Sequence, residues 1–529
     1  MSPSHSATGR RAGSLGLLAL LAMASACTSP QRFARESDEI VEDVLGGSSE
    51  RLNAERRATV ERPKDKASET APAPAAATVE SRVLTLREAL EIGVKSNRGY
   101  IGELESLYRQ ALGLYSTRHN FGPLLSSTLN YVFSGGGGAE TGSTSLGLGV
   151  SQKLPWGGNI SASADSSYAA DYGGSPATSS VGASISLTQP LLRGRGVEIG
   201  MEGLVQAERG MMYAIREFEL FRENFTIDVA RQFYGLVQQK QGLENQRRNL
   251  EDVIFGRRQA EAMFALGDVS ELEVLRSRRS ELTSRNELIS AEEDLRRALD
   301  SFRIFLGLPE NVTIDVRDEP PTFVAVAYDV ESAIAVAFEN RLDVLTRQQR
   351  LEDSERGLRI AENSSLPDVG LSLSYGLGAQ GDSGFQLHSF DDPSYSASVS
   401  VGLPIDRTSD RESLRNAQIG HRQALRAYEE FRQTLEINLR STFRELDRRV
   451  QSLDIQRQLI ADQERNAKIA QLRFEQGDFS NRDVVEAQRA LLDARNALIR
   501  EQVDYEIARL GLIRDLGLLF IDEHGMWTE

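Results

Sequence analysis

Cysteine is almost absent from this 529-residue sequence, which contains Cys27 and no other. A single cysteine excludes an intramolecular disulfide and any metal site that needs several thiolates. Basic residues are also fewer than acidic ones: the sequence has 61 Lys and Arg against 77 Asp and Glu, which gives a formal net charge of −16. Binding phosphate backbones requires a basic surface, so we do not expect nucleic acid as a partner.

Sequence motifs of catalysis are lacking as well. The five histidines are dispersed without the spacing of a zinc protease, and no Walker-type phosphate-binding loop occurs. The stretch GRGVEIG at residue 194 contains fragments of a glycine fingerprint but not the strand-turn-helix unit around it. We therefore expect no enzymatic activity, no cofactor and no metal site.

An apolar run at residues 15–23 follows Arg10 and Arg11 and precedes the letters ASAC. This order is typical of a secretory signal peptide over residues 1–26, and the run is too short to remain as a transmembrane anchor. Cleavage after Ala26 would make Cys27 the new N-terminus. We expect Cys27 to be lipidated, which would make the chain a lipoprotein; the alternative is a plain exported protein with an unused thiol.

The composition changes after the predicted cleavage site. Residues 27–82 are rich in Ala, Pro, Glu, Arg and Lys and contain few large apolar side chains. Such a segment buries too little apolar surface to offset the entropy lost on ordering. It is predicted to be a flexible linker behind the lipid.

Proline is missing from two long stretches, between Pro190 and Pro309 and everywhere after Pro404. In residues 424–453 apolar side chains recur at spacings of mostly three and four, which predicts a long amphipathic helix. About 60 residues of helix would extend about 90 Å at 1.5 Å per residue. Paired helices of this length are typical of coiled coils or hollow helical walls.

One sequence motif occurs twice in similar form. FALGDVSELEVLRSRRSELTSRNELI starts at Phe264, and FEQGDFSNRDVVEAQRALLDARNALI starts at Phe474. The spacing exceeds the unit length of repeat solenoids, so it indicates duplication of a whole half of the chain. Gly can end a helix and the following Asp or Ser can cap the next one, which predicts a hairpin tip in each half. A kink within one helix is the alternative.

Segments with a period of two lie between the helical stretches. Up to four occur within residues 124–190, where LPWGGN looks like the turn of an additional hairpin, and two occur within residues 368–404. They alternate Ser or Gly with apolar residues. This alternation is typical of outer-membrane barrel strands, and also of an exposed antiparallel sheet. A membrane barrel needs about eight strands or more, so under the barrel hypothesis several chains must share one wall.

The ordered set of motifs resembles the TolC-like outer membrane efflux proteins. The repeat starts LTLREALEIGVKSNR and VESAIAVAFENR and the strand segments SISLTQPLLRG and LPDVGLSLSYG carry this resemblance. The motif that occurs at both predicted hairpin tips carries it as well. It implies an α+β membrane protein with two repeats, residues 83–310 and 328–520, joined by a linker at 311–327 and followed by a tail at 521–529.

The same resemblance implies function and partners. Members form homotrimers in which each chain gives four strands to a shared barrel in the outer membrane lipid and its helices to a periplasmic tunnel. They are passive exit ducts for tripartite efflux pumps or type I secretion, joined through a periplasmic adaptor to an inner-membrane pump. We expect this localisation and role here; a periplasmic or surface-attached coiled-coil scaffold lipoprotein is the alternative.

Functional residues are carried over from the resemblance by position. The acidic pore aperture corresponds to Asp483 and Glu486; the alternative is that both are solvated residues on an outer helical face. In the first half, the same offsets give Glu273 and Arg276, expected to support the aperture as an ion pair together with Phe474. The expected adaptor-docking tips are Gly267, Asp268, Val269 and Ser270 in the first half and Gly477, Asp478, Phe479 and Ser480 in the second.

Overall fold

The computed structural model describes residues 30–55, 81–136, 139–171, 176–326, 329–381, 392–476, 478–522 and 524–528. The predicted signal peptide and Cys27 lie outside these residues. The helices of the described chain are α1 (Pro30–Glu55), α2 (Leu86–Ser96), α3 (Arg98–His119), α4 (Val197–Gly200), α5 (Glu202–Leu266), α6 (Glu271–Phe305), α7 (Val330–Asn340), α8 (Leu342–Ser364), α9 (Thr408–Glu475) and α10 (Asn481–Asp515).

The strands lie between or after these helices, singly or in groups of two to four. They are β1 (Ser81–Leu84), β2 (Leu124–Gly136), β3 (Ala139–Lys153), β4 (Asn159–Asp171), β5 (Thr178–Pro190), β6 (Thr313–Val316), β7 (Asp368–Gly381), β8 (Asp392–Gly402), β9 (Phe520–Ile521) and β10 (Trp527–Thr528). The expected α+β fold with strands between long helices is confirmed.

The two halves contain matching helices in the same order. The short helices α2 and α7 each have 11 residues, and the helices α6 and α10 each have 35. The long helices α5 and α9 have 65 and 68 residues, so each extends about 100 Å at 1.5 Å per residue. An absence of proline permits these lengths, because proline would break the backbone hydrogen bonding.

Capping side chains fix where the short helices begin. Thr85 and Glu88 form a capping box at α2, in which the Thr85 N–H donates to the Glu88 carboxylate at 2.8 Å. These hydrogen bonds lower the pKa of Glu88. At α7 the Asp329 carboxylate accepts from the backbone N–H groups of Glu331 and Ser332. Both repeats therefore start with a capped helix.

The chain divides into two compact units, and the first includes α1, residues 107–215 and residues 356–417. It contains an antiparallel sheet of six strands in the order β2-β3-β4-β5-β7-β8. Each strand pairs in register with the next, so the sheet is a continuous meander across both halves of the chain. The sheet accounts for all six predicted strand segments, four from the first half and two from the second.

The second unit includes residues 81–106, 216–355 and 418–528 and holds the described hydrophobic cores. One core packs α2, the start of α3, α5 and α6 around an aromatic group in which Tyr100 of α3 lies 5.1 Å from Phe225 of α5, ring centre to ring centre. A corresponding core packs α7, α9 and α10 around Leu439 and Leu512. The duplication seen in sequence is thus repeated in the packing.

Helix α1 corrects the expectation of a flexible linker for residues 30–55 of the predicted segment 27–82, whereas residues 27–29 and 56–80 lie outside the described residues. Val41 and Val44 are buried, and the Tyr108 hydroxyl donates to the Asp38 carboxylate at 2.5 Å. That hydrogen bond, with burial adding to it, raises the pKa of Tyr108 to about 12. Pro30 stands at the first helical position, where its missing N–H costs nothing. Helix α1 is therefore anchored by buried side chains and a hydrogen bond that the overall composition of the segment conceals.

Two other segments are more ordered than expected. Residues 311–327, predicted as a linker, contain β6, which pairs in parallel with β1 at the start of the first repeat. The predicted tail at 521–529 contributes the short antiparallel pair of β9 and β10. The first pairing joins segments that lie far apart in the chain, and the strands of the second are too short to show an alternating sequence pattern. Among the described helices, none combines the length and the apolar character needed to span a membrane.

Candidate functional site

The first hairpin tip is a turn, not a kink, between α5 and α6. Gly267 has a φ of +82°, its N–H donates to the Phe264 carbonyl at 2.9 Å, and the Asp268 N–H donates to the Met263 carbonyl at 2.9 Å. This pair of bonds is the Schellman arrangement, which ends a helix with a left-handed residue. Glycine takes that conformation without steric cost, so the GD pair marks the end of the helix.

The second tip, between α9 and α10, repeats the outer of these two bonds. Gly477 itself lies outside the described residues, and the Asp478 N–H donates to the Arg473 carbonyl at 2.9 Å, as Asp268 does to Met263. The Arg473 guanidinium lies over the ring of Phe479 at 5.2 Å from its centre. Cation–π contact of this kind holds the aromatic side chain against the end of α9.

The two tips differ in how their second helix begins. Ser480 precedes α10, and both its N–H and its hydroxyl donate to the Asp483 carboxylate, at 2.8 and 2.7 Å. These bonds hold the pKa of Asp483 below its ordinary value. At the first tip Ser270 precedes α6, but the Glu273 carboxylate instead accepts from Arg276 at 2.6 Å. The ion pair anticipated from the sequence is present; its support of an aperture stays a prediction.

Asp483 and Glu486 lie on one exposed face of α10. The residues that follow each of them, Val484 and Ala487, are buried against the neighbouring helices. Both carboxylates therefore face away from the chain's own core. Sequence reasoning missed the capping role of Asp483, although Ser480 followed three residues later by an acid is a readable capping signature.

Phe474 is part of a small core at the second tip. It is 2% exposed and packs with Ala260, Ala470 and Val484. Its counterpart in the first repeat, Phe264, is 46% exposed. The duplicated aromatic positions thus have different surroundings, because the second hairpin packs its phenylalanine against α5 while the first leaves its own uncovered within the chain.

The six-stranded sheet has one apolar and one polar face. Directly paired residues across all six strands share a face, and one such row is apolar: Leu125, Val150, Ala162, Ile185, Tyr375 and Tyr395. The adjacent row is polar: Ser126, Gly149, Ser163, Ser184, Gly376 and Ser394. Successive side chains of a strand point to opposite faces, so this alternation divides the whole sheet.

Hydroxyl groups connect neighbouring strands on the polar face. Ser163 and Ser184 bring their oxygens to 3.0 Å across β4 and β5, and Ser374 and Ser396 do so at 2.7 Å across β7 and β8. A concavity of about 690 Å³ on this side is lined by residues from all six strands. On the apolar side, Leu125 is 86% and Tyr395 87% exposed among the described residues.

Comparison with protein families matches residues 333–518 to the family described as Outer membrane efflux protein. This part of the chain, from the second repeat, is similar to outer membrane efflux proteins. The resemblance to TolC-like outer membrane efflux proteins is thereby confirmed, and so is the expected placement in the outer membrane at the level of the family. The family consists of transport ducts, not enzymes.

Solved structures with the same fold include three outer membrane proteins. The outer-membrane channel OprN has a TM-score of 0.63 at 18% identity, over 82% of this chain and 89% of that one. CusC has a TM-score of 0.61 at 14% identity, with coverage of 82% and 92%. VceC from Vibrio cholerae has a TM-score of 0.62 at 15% identity, with coverage of 82% and 96%. Comparison with curated proteins gives no match.

Proposed function

We propose that this chain is one protomer of a homotrimeric outer membrane exit duct that passes substrates out of the cell without energising their transport. The two-faced sheet carries the proposal. Its apolar face suits lipid and its serine-rich face suits a water-filled lumen, which is the pattern of a transmembrane barrel. Because the described sheet leaves β2 and β8 as open edges, neighbouring copies would close the wall.

The helical hairpins would form the periplasmic tunnel and dock an adaptor protein that links the duct to an inner-membrane pump or a type I secretion system. Asp268, Val269, Asp478 and Phe479 lie in the two turns where such an adaptor would bind. Support comes from the hydrogen bond that both turns share, Asp268 to Met263 and Asp478 to Arg473, because it gives each half of the chain one tip. Three chains would then present six tips to the adaptor.

Asp483 and Glu486 would narrow the tunnel as an acidic aperture. Both are exposed and three residues apart on α10, so three copies would bring six carboxylates around one axis. Concentrated negative charge favours cations. Glu273 and Arg276 would brace this region from α6, and Phe474 would hold the second hairpin in place from its core. Cys27 would carry the lipid that tethers the mature N-terminus.

Fractionation with planar-bilayer recording tests the duct. We expect the protein in the outer membrane fraction, extracted by detergent and not by high salt, as a heat-modifiable trimer that forms ion-conducting channels. The control is the same chain unfolded before reconstitution, which should give no channels. Release by salt alone, as a monomer without conductance, would support the coiled-coil scaffold and overturn the duct.

A further inference from the structure

The resemblance implies four barrel strands per chain, yet the sheet has six. The additional strands are β3 and β4, which form a hairpin between β2 and β5 in both sequence and space. We propose that this hairpin is part of the membrane wall itself, so that three chains build a barrel of 18 strands with a correspondingly wider lumen. This inference rests on the proposed trimeric duct.

The hairpin has the length that a membrane strand needs. β3 has 15 residues and β4 has 13, against 13 each for β2 and β5. Thirteen residues at about 3.3 Å each, tilted by about 40°, rise about 33 Å, which covers a hydrocarbon core of about 30 Å. A hairpin that stayed in water would have no reason to match its neighbours in length.

The hairpin also follows the faces of the surrounding sheet over most of its length. Leu148 pairs with Ala164 on the apolar side, and Ser145 pairs with Ser167 on the polar side. Asp165, the charged residue in the middle of β4, lies on the polar side, where it pairs with Gly147. A strand packed on a soluble surface need not put small and apolar residues on the same face as the flanking strands.

Side chains connect the hairpin to the rest of the wall. On the polar face, hydroxyl oxygens of β4 and β5 approach each other at Ser161 and Ser186, at 2.7 Å, and at Ser167 and Ser180, at 2.6 Å. The β7 and β8 pair, which the resemblance does imply, has the same contact at Ser374 and Ser396. The turn that joins β3 to β4 is also held in place, because the Gly196 N–H donates to the Trp156 carbonyl at 3.2 Å.

The consequence is a wider duct at the outer membrane. Barrel diameter grows roughly linearly with strand number, so 18 strands in place of 12 give a lumen about 1.5-fold wider and about 2.3-fold larger in cross-section. Small side chains, mostly Ser and Gly, line the polar face and leave that space open. The barrel would therefore accept larger cargo than a duct with four strands per chain.

Accessibility of single added cysteines tests the placement of the hairpin in trimers reconstituted into liposomes. Ser145→Cys and Ser167→Cys should react with a membrane-impermeant maleimide at least tenfold faster than Leu148→Cys and Ala164→Cys, because lipid would shield the second pair. The unsubstituted chain supplies the blank for Cys27. Equal reaction of all four would place the hairpin in water and overturn the inference.

A reference pair in β7 separates the inference from the proposed function. Ser374→Cys should react quickly and Leu373→Cys slowly in any duct of this fold. Loss of that contrast would mean that no barrel forms and would overturn the duct itself. A preserved contrast in β7 without one in the hairpin would overturn only the 18-strand wall.

Deletion of residues 139–171 tests the lumen. The shortened chain joins β2 to β5 with their apolar faces still on one side, which leaves four strands per chain. Neutral polymers added from the outer side should be excluded at about two-thirds of the radius that the full duct admits. An unchanged cut-off in a deletion variant that still trimerises would overturn the proposal; if the variant does not fold, the cysteine contrast decides.

Discussion

Asp483 has a capping role that Glu486, one turn further along α10, lacks. The Asp483 carboxylate holds both the N–H and the hydroxyl of Ser480, and these bonds lower its pKa. A carboxyl with a depressed folded pKa stabilises the fold above its unfolded pKa of about 3.9 and loses that contribution as the pH falls through the lower folded value. The start of α10 should therefore loosen only in strong acid.

The matched pair Asp483→Asn and Glu486→Gln separates capping from pore charge. Asp483→Asn should speed amide hydrogen exchange at residues 482–485 at neutral pH, because the charged acceptor for Ser480 is gone. Glu486→Gln should leave that exchange unchanged. Both should reduce cation selectivity in planar bilayers if the two carboxylates line the aperture. Unchanged selectivity in the double variant would move both residues to the outer face of the tunnel.

At the scale of elements, glycine joins each long hairpin to the short helix of its own repeat. Gly307 follows α6 with a φ of +77°, and Gly517 follows α10 with a φ of +70°. A side chain at Gly307 would lie 2.0 Å from the Ser96 carbonyl oxygen, and one at Gly517 would lie 2.8 Å from the Asn340 carbonyl carbon. Both glycines thus combine a left-handed conformation with close backbone approach.

Alanine substitution should show whether the left-handed conformation or the close backbone approach contributes more to the need for glycine. Gly267→Ala has the same left-handed backbone but open space around it, so it should lose only about 1–2 kcal/mol of stability. Gly307→Ala meets the Ser96 carbonyl as well and should lower the thermal unfolding temperature of the purified protein much further. Equal losses would mean that the end of α2 moves aside without cost and does not hold the hairpin.

Patterns within one element were readable from the sequence, and contacts between distant elements were not. The alternation of Ser with apolar residues predicts six strands, and the doubled GD pair predicts two tips, since each follows from local geometry. The parallel pairing of β1 with β6 joins residues far apart in the chain and leaves no local signal. Glu506 and Arg509 have the spacing of a surface ion pair, yet both are buried.

At the scale of the whole molecule, duplication has produced halves that are alike in backbone and different in surface. Phe474 is buried at the second tip, whereas the first hairpin exposes a row of apolar side chains on α6. Leu275, Leu282 and Ile289 are spaced seven residues apart and are 55%, 58% and 60% exposed. A seven-residue apolar spacing is the seam by which helices pair, so this row should contact a neighbouring copy in the trimer.

Leu282→Glu tests that seam at its centre. Burying a leucine stabilises by about 1.5–3 kcal/mol, so its loss at each interface should weaken association roughly tenfold or more. Ser290→Glu adds the same charge at an exposed position of α6 outside the row and should leave the trimer intact. Light scattering in detergent measures the trimer fraction of each variant. A trimer equally stable in both variants would place the seam on the outside of the tunnel, where it would contact another partner or lie in solvent. The chains would then have to associate through their strand edges and other helix faces.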